Sequence, residues 1–197
     1  MTAGIQPVND AGGSLTVDGS VTATLATGAA VIGSLAASEL HIGEVGTSSI
    51  GVSNTPTVTA GGYTALDIVG GVQALANTQR VSGEASILQS VVIRDKAAQD
   101  QAFTLFFFNA NPSNGTYTDN IALTIHDTDL AMCIGAVRVL AGDYTPASAN
   151  SVATVTNIGL QLRSAATGLW VIAQCTTTAP TYAATSDLTF VYEFLPD

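Results

Sequence analysis

The chain has 197 residues, of which 47% are apolar and only 10% charged, and its formal net charge is −10. Globular domains usually carry about 25% charged residues, so a chain this poor in charge is expected to bury surface against other chains. Its five basic residues, Arg80, Arg94, Lys96, Arg138 and Arg163, are too few to neutralise a phosphate backbone, which excludes nucleic acid as a partner and disfavours acidic membrane surfaces.

The mean hydropathy is +0.38, yet no apolar run approaches the roughly 18–20 residues of a membrane-spanning helix. The first ten residues, MTAGIQPVND, lack the basic and apolar regions of a secretory leader.

Residues 1–62 contain no aromatic residue, no Lys and no Arg, and hold eleven of the nineteen glycines. Aromatic side chains supply much of a globular core, so this stretch is not expected to fold alone. It is also too rich in aliphatic residues, among them Leu15, Val17, Val21, Leu25 and Leu35, for a disordered tail. The motif Gly-Ser-aliphatic recurs at Gly13, Gly19 and Gly33, without a fixed period. The reading is an extended glycine-rich β-arm over 1–62, ordered against other chains, followed by a β domain over 63–197.

From Tyr63 the chain reads as about eight strands with turn signals roughly every ten residues, which predicts a β-sandwich or jelly-roll-like domain. A short strand over 63–72 closes at Gly70-Gly71. The stretch from Leu88 to Pro112 reads as strand, exposed turn, strand, and its two strands are expected to form a central pair. Within it, Phe103, Leu105 and Phe107 point to one face and Phe106 and Phe108 to the other. Two apolar faces on one strand predict a core on one side and another subunit on the other. Phe106 and Phe108, with Leu15, Val17, Val21 and Leu35 of the arm, are therefore the candidate interface residues.

A polar loop over 111–120 carries an Asn114-Gly115 turn. A short strand over 121–125 and a helical turn over 127–132, with Thr128 as its cap, come next. Strands follow over 133–140, 152–163 and 169–175. The last strand, 187–195, alternates most clearly, with Leu188, Phe190, Tyr192 and Phe194 inward and Asp187, Thr189 and Glu193 outward.

Little in the chain points to catalysis. His126-Asp127-Thr128-Asp129, with Asp119 nearby, is the densest polar cluster, but its spacing matches no calcium loop and it reads as a solvated, capped turn. Neither a nucleophile elbow nor a metalloprotease motif is present. Cys133 and Cys175 sit in apolar strand-like runs without metal-type spacing and read as buried free thiols. Trp170 reads as core rather than as a sugar-binding platform. No catalytic residue, metal site or cofactor is expected.

Several phrases go further: LQSVVIRDKAAQ, FFFNANPSNGTYTDNIAL, DTDLAMCIGAV, NSVATVTNIGL and PTYAATSDLTFVYEFL. With these, residues 63–197 resemble a family of small virion proteins of tailed bacteriophages, the capsid decoration or cement proteins. The resemblance implies an all-β fold and a structural, non-enzymatic role on the outer surface of the capsid. It also implies the major capsid protein as partner. With the low charge, it leads to self-association, three copies being expected. The alternative is a head or tail fibre module recognising a host carbohydrate, which requires exposed loop aromatics. Tyr117, Tyr144 and Tyr182 are the candidates for that role.

Overall fold

A computed structural model describes residues 49–176 and 180–196 of the chain. In chain order the strands are β1 (Ile50–Asn54), β2 (Gly61–Gly62), β3 (Ile68–Leu75), β4 (Ala85–Asp95), β5 (Phe103–Phe108), β6 (Cys133–Val139), β7 (Tyr144–Ala147), β8 (Asn150–Val155), β9 (Leu160–Arg163), β10 (Leu169–Cys175), β11 (Thr181–Tyr182) and β12 (Leu188–Pro196). A single turn of helix, α1 (Asp127–Leu130), precedes β6. The fold is all-β, as the alternation predicts.

Two antiparallel sheets carry the domain. The first runs β1-β12-β4-β8-β7, with β9 continuing β8 along the same edge of β4, and the second runs β3-β10-β5-β6. Taking β8 and β9 as one interrupted strand, and setting aside the short β2, β11 and β7, eight principal strands remain. Their order is 1-8-3-6 in one sheet and 2-7-4-5 in the other, a jelly-roll-like arrangement. All connections between principal strands cross from sheet to sheet except the one from β5 to β6.

The core lies between the sheets. Leu88, Val91, Ile93, Leu188, Phe190, Tyr192 and Phe194 of the first sheet meet Phe103, Leu105, Phe107, Leu169, Val171 and Ala173 of the second. Phe103 packs edge-to-face on Phe190 at 5.6 Å between ring centroids, and Phe107 on Tyr192 at 6.0 Å. The inward set expected for the last strand is thus the observed one. Asp187 alone departs from it: it is buried, and its carboxylate accepts from Ala183 N and Ala184 N, each at 2.9 Å.

The two strands of 88–112 do not pair with each other. β4 lies between β12 and β8, whereas β5 lies between β10 and β6, so the turn at 96–102 carries the chain from one sheet to the other. Asp95 ends β4 by pointing inward and accepting from Ala97 N and Gln99 N, both at 2.8 Å. Burial raises its carboxyl above the usual range, against the pull of those donors.

Two strands contain irregularities that shift the alternation. In β4 the register with β12 slips at Gln89, so Leu88 and Val91 both face the core. The freed Gln89 carbonyl accepts from Ile158 N at 3.1 Å. In β3, Gly70 and Gly71 form a bulge opposite Ile172 and Ala173 rather than ending the strand. Gly70 has φ +76°, and a Cβ there would lie 2.1 Å from the Cβ of Pro56, so only glycine fits.

The compact unit begins upstream of the division expected at Gly61-Gly62, at Val45. β1 pairs along its whole length with β12, and Val58 is 1% exposed within the core. β1 is short, its aliphatic side chains are only Ile50 and Val52, and it owes its order to β12. Nothing local marks it as a strand.

Phe190→Ala is expected to cost about 3–5 kcal/mol, because the ring is fully buried between Phe103 and Tyr192. Thr189→Ala, on the outer face, loses only a hydrogen bond to Thr55 and is expected to cost about 1 kcal/mol or less. Denaturant melts of the two variants test this facing. A fragment 45–197 should melt cooperatively. A fragment 63–197, lacking β1 and the buried Val58, should be less stable by about 3 kcal/mol or more. Equal midpoints would show that β1 does not belong to the folded unit.

Candidate functional site

The outer face of the second sheet is covered by its own chain. Between β5 and β6 the segment 109–132 leaves the sandwich and lies back over that face. Phe108, Ile68 and Ile172 form a second buried cluster there, with Phe106, Trp170, Tyr117, Leu123, Ile125 and Met132 packed on it. Phe108 is fully buried and Phe106 half-buried. The two-faced strand is therefore explained within one chain, and Phe108 offers no surface to a partner. Leu15, Val17, Val21 and Leu35 lie outside the described residues.

Two carboxylates organise this cover, one tying it to the sandwich and one closing it on itself. Asp119 accepts from Thr59 N at 2.8 Å, Thr59 Oγ1 at 2.6 Å, Tyr63 OH at 2.8 Å and Gly70 N at 2.6 Å. It thereby ties the middle of the segment to the β1–β3 connection. Asp129, fully buried, accepts from Asn114 N and Nδ2 at 2.7 Å each, Gly115 N at 3.1 Å and Tyr117 OH at 2.6 Å. Burial alone would raise its carboxyl, but this ring of donors outweighs it and holds the group far below the usual carboxylate range. Burial and the Asp129 hydrogen bond push the Tyr117 phenol up to about 12.

The cluster around His126 is not a ligand set. His126, rather than Thr128, caps α1: its Nδ1 accepts from Thr128 N at 3.2 Å. Asp119 and Asp129 face separate groups of donors. No group of three His, Cys, Asp or Glu side chains that could hold a metal occurs among the described residues. Cys133 and Cys175 are both free thiols, and burial pushes Cys175 up to about 12.

The loop tyrosines form no exposed platform. Tyr144 and Tyr182 are buried, and Tyr117 is half-buried on Asp129. Trp170 packs on the second cluster, as its apolar surroundings predict. At the end of the sandwich where β9 turns into β10, an open cleft of ≈ 480 Å³ is lined by Gly83, Asn109, Ile134, Arg163, Ser164 and Ala165.

The first sheet presents the opposite case. Its outer face carries Ile87, Val92, Val152, Val191 and Leu195, with Arg94 and Glu193 among them. Ile87 and Val152 are 37% and 36% exposed, and Arg94 and Thr154 are exposed. Val191 and Val92 are cross-strand neighbours, and Thr154 follows Val92 on β8. The row across the sheet is Ser53, Val191, Val92 and Thr154, with the two valines half-buried, so the aliphatic side chains form a patch in the middle of the face rather than a row across it. Alternation already placed Glu193 outward, but the patch depends on which strands adjoin, and a linear sequence does not contain that.

Compared with known proteins, the chain matches no family model and no curated protein.

Asp129→Asn should lower the melting temperature, and most of the loss should lie above about pH 4. The carboxyl is depressed in the folded state. Its contribution is therefore fully present above the unfolded aspartate value of about 4 and fades as pH falls below it. Melting curves between pH 3 and pH 7, roughly spanning that value, should show a flatter profile for the variant. Parallel profiles would mean that Asp129 is not the anchor of the cover.

Proposed function

We propose that this protein decorates and stabilises the capsid of a tailed phage, binding the lattice of the major capsid protein on its outer surface. In this reading it acts as an oligomer, three copies being expected, and carries out no catalysis. The observation that carries the reading is the resemblance of residues 63–197 to decoration proteins. The quoted phrases fall on β4, β5 with the covering segment, β6, β8 and β12. Two further properties support it. Jelly-roll-like double sheets suit building blocks of viral shells. A chain with net charge −10 and five cations also stays clear of packaged nucleic acid. The carbohydrate-binding alternative has less support, because the tyrosines it needs are buried or half-buried.

In this reading the glycine-rich leader supplies much of the attachment, since its aliphatic residues need partners. The test adds purified full-length protein to heads that lack it, beside a fragment 45–197. The full chain should bind saturably, in fixed ratio to the capsid protein, and raise the temperature at which heads rupture. The fragment should bind much more weakly. Binding of a few copies at one vertex would favour the fibre reading, and no binding would remove the decoration role. Equal binding by the fragment would assign attachment to the β domain.

A further inference from the structure

We infer that the open outer face of the first sheet is where one copy of this chain docks on another. The second sheet has an apolar outer face and covers it with its own residues 109–132. The first sheet's outer face keeps Ile87 and Val152 exposed and Val92, Val191 and Leu195 half-buried, five aliphatic side chains on one face. A contiguous apolar patch of this kind marks an interaction surface.

Charge identifies the occupant. The face carries two cations, Arg94 and Arg163, and one anion, Glu193, on a chain whose net charge is −10. This face does not share the chain's excess of anions. The opposite charges also sit apart. Glu193 lies beside Gly51 of β1, where a Cβ would stand 2.9 Å from its Oε1, so its carboxylate leans toward the β1 margin. Arg94 is on β4, beside Thr189 of β12. Four residues of β12 separate the two rows, roughly 13 Å. Neither side chain has an ion-pair partner among the described residues. A second copy brings its Arg94 to Glu193 of the first while valines cover valines. Because both charges and the valines lie on one face, the contact is isologous: about a two-fold axis, each copy's Arg94 meets the other's Glu193. The inference goes beyond the particle-binding role and does not depend on it.

Sedimentation of the free full-length protein at tens of micromolar tests it without any capsid. The wild type should contain no monomer of 19.9 kDa. Arg94→Glu and Val191→Lys, both at outward positions that leave the core intact, should each raise the dissociation constant roughly tenfold or more. The double exchange Arg94→Glu with Glu193→Arg should restore assembly. Melting curves establish that each variant is folded, and Thr154→Lys on the same face serves in place of either that is not. A wild-type monomer, variants that assemble as the wild type does, or a double exchange that fails to recover would overturn the assignment.

Discussion

Between the two sheets, Phe103 and Phe107 of β5 meet Phe190 and Tyr192 of β12 edge to face. Both strands are internal in their sheets, so this contact sets the spacing of the whole sandwich. Each buried ring removes about 150–250 Å² from water, or about 4–6 kcal/mol at the usual coefficient. The Tyr192 hydroxyl comes along unpaired among the described residues, at a cost of about 1–3 kcal/mol. The burial of the ring outweighs the cost of the hydroxyl. Its burial also drives the phenol's pKa well above its ordinary value.

Fixing the inner faces leaves two outer faces, and the chain treats them differently. Over the second sheet, segment 109–132 is held by Asp119 and Asp129, which gather backbone N–H groups and tyrosine hydroxyls rather than cations. With five basic residues in 197, the chain has few cations to offer. Neutral donors convert each carboxylate into a local hub: Asp119 joins the segment to Thr59, Tyr63 and Gly70, and the buried Asp129 closes the segment on itself. Gly115 is part of this economy of space: a Cβ there would lie 2.2 Å from the Thr124 carbonyl oxygen.

Much of the fold was legible in the alternation. The strand Leu169–Cys175 appears where its pattern placed it, and the inward residues of β12 are the expected ones. Alternation reports faces, however, and says nothing of neighbours. β4 and β5 are consecutive and apolar, which reads as a hairpin, yet their partners are in different sheets. The bulges at Gln89 and at Gly70-Gly71 reset the period without announcing it. The second face of β5 looked like an interface because its cover comes from a polar loop. The few apolar side chains of that loop, Tyr117, Leu123 and Ile125, are too scattered to form a pattern. Of the candidate site, the outward position of Glu193 was readable. The aliphatic patch beside it required knowing that β12, β4 and β8 adjoin.

The position of β12 has a consequence for the making of the protein. This strand, Leu188–Pro196, lies between β1 and β4 and pairs with both, yet it is the last of the described strands to be synthesised. Until it emerges, the first sheet has no centre and the rings of Phe103 and Phe107 have nothing to pack on. Pairing the first described strand with the last is the slowest kind of contact to form. A chain cut before β12 therefore lacks a folded sandwich and presents no assembled sheet face.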